Sequence, residues 1–400
     1  MHAQLAAAAP EIDERSAVSA SRLDTLEREP YALGSDRELR VAGVGRLDPG
    51  LGMTVEVLLD VIGHRAARLA SSSVNVFVIA EAGMNHDGSL GNAIRLAEVA
   101  AECGADAVKF QLHDSAAEST REAPAPPYFT HESRWDYFQR TAFTDEQWRT
   151  LKEACDRAEI EFLCAPFSLE ALARLEALGV ERYKIGSGEV TNLELVRAAG
   201  ATGKPVLLSS GMSSWEELDA AVDAAGDRVT VLQCTSAYPT PPERVGLNML
   251  AELRERYRKP VGLSDHTLGP HAAFAAVALG AEVIEKHFTL SRDLYGPDAA
   301  LALEPYELGE LVDGIREIEL MLISPVDKND LEPFAEMKRV FEKSVVSTRA
   351  IPPGAVIERE MVAAKKPGTG IPAKRLLEVV GRRARTAIAA DTVLTEGDLE

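Results

Sequence analysis

From residue 76 onward the chain alternates short, almost fully apolar runs with longer amphipathic stretches. The runs are FVIAE (77–81), AVKFQL (107–112), EFLCAP (161–166), RYKIGSG (182–188), PVLLSSG (205–211), VTVLQC (229–234), PVGLSDH (260–266) and EVIEKHF (282–288). Continuous apolar runs of this length read as strands covered on both faces. Between them, NAIRLAEVAAECG (92–104), LEALARLEALG (169–179), SWEELDAAVDAAG (214–226) and HAAFAAVALGA (271–281) place apolar residues at helical spacing, and several end in glycine. Eight such repeats predict an α/β chain folded as a (β/α)8 TIM barrel over 76–325. An open doubly wound sheet is the competing topology, but no GxGxxG follows the first run.

The pattern changes outside that span. Residues 1–72 carry little strand signal and read as an N-terminal extension, disordered or a small appendage, with one helical stretch at 53–70. Between the second and third runs, 123–143 is rich in Pro and aromatics, which reads as a lid or wall over a site, or as a plain surface loop. A helix is expected from Thr144, where Gln147 completes a capping box. After a linker at 326–342, residues 343–400 show short β runs, PPG and PGTG turns and one helical piece, predicting a small, mostly β domain.

Composition narrows the class. In 400 residues, 46% apolar and 26% charged content excludes a fully disordered, collagenous or disulfide-scaffold protein. No apolar run reaches the roughly 18 residues of a membrane span. A net charge of −20 argues against a nucleic-acid face and against docking on anionic lipid. It leaves room for an anionic small molecule, because a local basic cluster can outweigh a distant negative surface. Cys103, Cys155, Cys164 and Cys234 form no CxxC pair, and the N-terminus lacks a basic region before its Ala run. A reduced, cytoplasmic setting without a secretory signal is expected.

In a barrel the chemistry sits where strands end at their carboxyl side. There the sequence places Glu81, Lys109, Gln111, Lys184, Ser187, Glu189, Ser209, Cys234, Ser264, His266, Glu285 and His287. Lys109 and Lys184 with the hydroxyls of Ser187 and Ser209 suit a phosphate or carboxylate. The alternative is that each lysine pairs with a neighbouring acid. His266 and His287, at the ends of adjacent strands near Glu81 or Glu189, suit a divalent metal such as manganese that keeps water positions open. The alternative is a pair of hydrogen-bonded core histidines. His86 either orients its NHDG turn or contacts ligand.

IAEAGMNHDGSL (79–90), DAVKFQ (106–111), KIGSGEV (184–190), LSDHT (263–267), EKHFTL (285–290) and GPDAALALEP (296–305), in this order, resemble the N-acetylneuraminate (sialic acid) synthase family. Residues 343–400, with KSVV, IPPGAVI, KKPGTGIP and VVGRRAR, resemble its antifreeze-like SAF domain. The resemblance implies a transferase that joins phosphoenolpyruvate to an N-acetylated hexose such as N-acetylmannosamine, giving a nonulosonic acid and phosphate. It implies metal at His266 and His287, manganese first, with magnesium or cobalt as alternatives. It implies phosphoenolpyruvate at Lys109, Lys184, Ser187, Ser209 and Ser264, and the open-chain sugar at Glu81, Gln111, Tyr238 and Asp298 with Lys366 from the cap. Glu81 and Glu189 would assist water addition after enolpyruvate C3 has attacked the metal-polarised aldehyde. It also implies a domain-swapped homodimer, each small domain capping the partner's barrel.

Five positions depart from the family pattern. Ser-Thr-Pro-Phe is Cys164-Ala165-Pro166-Phe167, an Asn is Ser236, a His is Ala299, and an Arg is Lys366, which keeps charge but not the bidentate fork. Retained carbon–carbon chemistry with an altered acceptor sugar is expected. The alternatives are a weakened or non-catalytic sugar-binding homologue, and a pyruvate aldolase with a Schiff base on Lys184.

Overall fold

The computed structural model describes residues 75–124 and 132–400, so the readings for the N-terminal extension lie outside the described residues. Eight parallel strands are present: β1 Phe77–Gly83, β2 Ala107–Leu112, β3 Glu161–Pro166, β4 Tyr183–Ile185, β5 Val206–Ser209, β6 Val229–Cys234, β7 Val261–Asp265 and β8 Val283–His287. Their order is β3-β2-β1-β8-β7-β6-β5-β4, so the first strand pairs with the last and the sheet curls into a barrel. At the β3–β4 seam the Arg182 guanidinium donates to both oxygens of Glu161, at 2.6 and 2.9 Å, a bidentate clasp between the starts of the two strands.

Every expected strand is found, with one shortened. The fourth run leaves the sheet after Ile185, and Ser187–Glu189 forms a single 3-10 turn. Gly186-Ser187-Gly188 has no apolar side chain to bury, so nothing holds it in the sheet.

The helices begin where the sequence supplies caps. Ser89, Thr144, Ser168, Asn192 and Ser214 each accept a backbone N–H from the first turn of the following helix. The Thr144–Gln147 capping box is present. The inner faces of these helices cover the outward side chains of the strands, as Leu96, Ala97 and Ala100 do with Val78 and Ala80 in one continuous core.

Inside the barrel the two-residue period of a strand sets the layers. Ile79, Ala107, Leu163, Leu207, Leu232 and Val283 pack as an apolar plug. Two residues further along the same strands stand Glu81, Lys109, Ala165, Ser209, Cys234 and Glu285, so the polar layer sits directly on hydrocarbon. Gly262 keeps β7 from intruding on the plug, since a Cβ there would lie 2.6 Å from Leu232 Cδ2.

Outside the barrel wall, Lys286 Nζ meets Asp265 Oδ2 at 2.7 Å, both side chains 1% exposed. The two residues are direct partners in the β7–β8 ladder. His266 follows one and His287 follows the other, so this ion pair registers both histidines.

Beyond the barrel, the linker contains a helix at Ala335–Phe341. Then β9 Ser344–Ser347 pairs antiparallel with β10 Val362–Lys365. Isolated bridges such as Ile351–Ile388 and Ala384–Leu399 add to a small β unit with its own core, including Val345, Ile351, Ile357 and Leu394. No described helix is long and apolar enough to cross a membrane.

Replacing Lys286 by Met strands the buried Asp265 carboxylate. A loss of about 3 kcal/mol is expected in urea unfolding, most of it recovered when Asp265 is also made Leu.

Candidate functional site

A cavity of about 480 Å³ opens at the carboxyl ends of the strands. Its floor is the polar layer above the apolar plug. Lys109 Nζ lies 2.7 Å from Glu81 Oε2 and 3.9 Å from Glu285 Oε2. Lys184 Nζ lies 3.3 Å from Glu285 Oε1, which also accepts from Ser264 Oγ at 3.0 Å. Both lysines therefore pair with acids and also face the cavity. Burial pushes the Glu285 carboxyl up, but Lys109 and Lys184 outweigh it and hold the group well below the usual carboxylate range. Burial likewise pulls the Lys109 ammonium down, and Glu285 and Glu81 more than restore it. The four charges cancel. A multiply charged anion entering here would leave the site negative unless a cation came with it.

Hydroxyls surround the lysines. Ser209 Oγ and Ser236 Oγ are buried without a hydrogen-bond partner among the described residues. Ser187 Oγ accepts the Gly211 N–H at 3.1 Å. Gly211 has to be glycine: a Cβ would overlap Ser236 Oγ and lie 2.6 Å from Ser187 Oγ. Unpartnered donors beside two ammonium groups are what an oxyanion requires.

The two histidines stand on the far side. Their rings are 5.4 Å apart, and the Tyr238 ring lies 4.2 Å from that of His266. His266 Nδ1–H donates to the Thr235 carbonyl at 2.9 Å; burial pulls the ring's pKa down, and Cys234 with that carbonyl more than restores it. Burial pushes the His287 ring down to about 3, so it stays neutral, and its Nδ1 is buried without a partner among the described residues. A neutral imidazole like that of His287 is a divalent-ion donor. No group of three or more His, Cys, Asp and Glu is arranged to hold a metal among the described residues. The chain thus offers two imidazoles, and water or substrate would complete the coordination.

A third cluster faces the histidines. Gln111 Nε2 donates to Glu81 Oε1 at 2.8 Å. Gly83 has φ +52°, and a Cβ there would lie 3.0 Å from Asp298 Oδ2 and 3.4 Å from Glu81 Oε1. The missing side chain leaves the space into which these carboxylates face. Burial pushes the Asp298 carboxyl up, with His266, Lys109 and His113 pulling it part of the way back.

The cavity lining includes Glu81, Lys109, Gln111, Lys184, Ser187, Ser209, Tyr238, Ser264, His266, His287 and Asp298. Two expected residues fall outside it. Glu189 lies on the 3-10 turn after the shortened β4, its carboxylate accepting from Asn192 Nδ2 at 3.0 Å, off the lining. Lys366 is exposed, with its ammonium 4.7 Å from the centre of the Phe341 ring, and does not line the cavity of the single chain. Glu285 holds the central position instead. Its signal was available, because it is the inward residue midway between Val283 and His287. His113, Arg134, Phe138 and Phe167 also line the cavity. Arg134 and Phe138 come from helix Arg134–Thr141, which forms part of the cavity wall; residues 125–131 of the 123–143 segment lie outside the described residues. His86 does not line the cavity; its Nδ1 accepts the Gly88 N–H at 3.1 Å, which orients the turn. Of the departures, Ala165 and Ser236 line the cavity, while Ala299 is buried in a 3-10 turn.

A family model described as the NeuB family matches residues 96–327, and one described as the SAF domain matches 342–400. The N,N'-diacetyllegionaminic acid synthase of Campylobacter jejuni is 36% identical over 332 residues, 80% of this chain and 98% of that protein. The N-acetylneuraminate-9-phosphate synthase of Homo sapiens is 34% identical over 331 residues, 80% and 91%. The crystal structure of N-acetylneuraminic acid synthetase from Leptospira borgpetersenii, in complex with citrate, superposes with TM-score 0.58 at 33% identity, covering 66% of this chain and 90% of that one.

Gly83→Ala is expected to destabilise the fold by about 1 kcal/mol from its left-handed backbone alone. The loss should be smaller in an Asp298→Ala background, where the 3.0 Å approach to Asp298 Oδ2 is gone and ordinary contacts with Glu81 and Gln111 remain. A double-mutant cycle of thermal unfolding checks both.

Proposed function

The chain belongs to the NeuB family, and on that premise we propose that it condenses phosphoenolpyruvate with the open-chain aldehyde of an N-acyl amino sugar, releasing phosphate and giving a nonulosonic acid. The observation that carries the reading is the buried pair Lys109 and Lys184 in one cavity with the unpartnered hydroxyls of Ser209 and Ser236 and the imidazoles of His266 and His287.

Lys109, Lys184, Ser187, Ser209 and Ser264 hold the phosphate and carboxylate of the enolpyruvate, and Ser236 adds a further hydroxyl. Gln111, Tyr238 and Asp298 hold the sugar over the enolpyruvate C3. A new bond forms from C3 to the aldehyde carbon, water adds at C2, and the C2–O bond to phosphate breaks with the electron pair leaving on phosphate. Glu81 takes the proton of that water. Asp298, whose burial favours the acid form, donates to the aldehyde oxygen. A divalent ion such as Mn²⁺, held by His266 and His287, would supply Lewis acidity at that aldehyde. Positioning of charged groups in a water-poor pocket provides most of the rate. We extend the proposal to a homodimer in which the partner's small domain brings its Lys366 to this mouth.

Ala299, where the family pattern has a histidine next to the sugar-side Asp298, supports a changed acceptor sugar. Lys184 faces Glu285 at 3.3 Å, which suits charge binding over imine formation. Borohydride with pyruvate should therefore trap nothing.

Phosphate release from phosphoenolpyruvate is expected with at least one of the manno-, gulo- or altro-configured N-acyl sugars in the presence of Mn²⁺. It should be abolished by chelator and restored by metal. No turnover across that panel would sink the reading. Gly211→Ala, which displaces Ser187 and Ser236, is expected to raise the KM for phosphoenolpyruvate about tenfold or more, with a smaller effect on the KM for sugar.

A further inference from the structure

The segment after β2 delivers a histidine that the scheme above leaves unused. His113 is 7% exposed and stacks between Phe138, centroids 3.7 Å apart, and Phe167, 4.2 Å apart. Its Nε2 lies 3.0 Å from Gln111 Oε1 and its Nδ1 2.9 Å from Glu118 Oε2. Both nitrogens and both ring faces are engaged, so no polar atom of His113 is left for substrate.

The direction of each hydrogen bond follows from what each group can do. The amide of Gln111 has one donating end and one accepting end. Its donating end faces Glu81, because a carboxylate oxygen only accepts, and turning the amide over would set two acceptors against each other. Its accepting end therefore faces His113, so Nε2 carries a proton. Nε2–H points at Gln111, and Nδ1 meets the Glu118 carboxyl on the opposite side.

We propose that His113 is a positioning residue. By its hydrogen bond it fixes the orientation of the Gln111 amide, and so sets how the acceptor sugar is held while leaving phosphoenolpyruvate binding alone. The route is Glu118 to His113 to Gln111, whose other end is set by Glu81. Partners of this kind, one step behind the contacting residue, change activity about 10- to 100-fold when removed. The proposal rests on the reading of the cavity given above.

The test compares two variants of the full chain. His113→Phe keeps the stack between Phe138 and Phe167 and removes both nitrogens. His113→Gln restores a donor toward Gln111. The expected result for His113→Phe is a kcat/KM for acceptor sugar reduced about 10- to 100-fold, an unchanged KM for phosphoenolpyruvate, and partial recovery in His113→Gln. Unaltered acceptor kinetics in His113→Phe, or equal losses in the two variants, would overturn it. A second readout needs no turnover. In ¹⁵N NMR of the wild-type protein the His113 Nε2–H should be present across neutral pH, and its shift should move in Gln111→Leu. A deprotonated Nε2 overturns the positioning role. A protonated Nε2 in a protein that turns over no sugar overturns the functional reading instead, and leaves this contact standing.

Discussion

Two ammonium groups buried at the mouth of a barrel, on top of hydrocarbon, need carboxylates beside them. An unpaired buried charge is costly. Lys109 and Lys184 are held by Glu81 and Glu285, and the placement of nearly every other group in the cavity follows from that pairing. Glu285 bridges the two lysines, Ser264 supports Glu285, and Gln111 supports Glu81. The apolar plug beneath keeps the local dielectric low, so each of these interactions is stronger than it would be in water. The electrically balanced floor binds little charge by itself. It presents fixed ammonium groups to an anion and leaves the remaining balance to whatever arrives with it.

The same strands carry a second set of constraints on their outer faces. Asp265 and Lys286 form a buried pair behind the wall, one residue before each histidine. Inner and outer faces of β7 and β8 are thus locked by separate ion pairs in one register. A slip of one residue would turn Ser264, His266, Glu285 and His287 away from the cavity together.

Much of this was legible before the fold. Strands covered on both faces write themselves as apolar runs, and all eight were found within a few residues of their expected bounds. Polar residues at the ends of such runs pointed to the mouth. Glu189 and Glu285 show where legibility stopped. Both are acids near strand ends, but Glu189 follows a Gly-Ser-Gly segment that leaves the sheet, and the two-residue alternation no longer applies to it. Glu285 lies inside a regular strand, where alternation does apply and places it inward. His113 continues the inward alternation of Lys109 and Gln111 one residue past β2, and its hydrogen-bond partners Gln111 and Glu118 are near in sequence. Only helix Arg134–Thr141 and the Phe167 loop bring the two rings that stack on it.

The sequence by itself determined the barrel, the inward set of residues on each strand and the family, because local periodicity and short motifs are properties of neighbouring residues. Tertiary structure decided which groups meet: that Glu285 links both lysines, that Glu189 stands aside, and that Phe138 and Phe167 close on His113. Those contacts join residues from different strands and loops, and their existence depends on strand tilt, register and loop return, which no local pattern encodes.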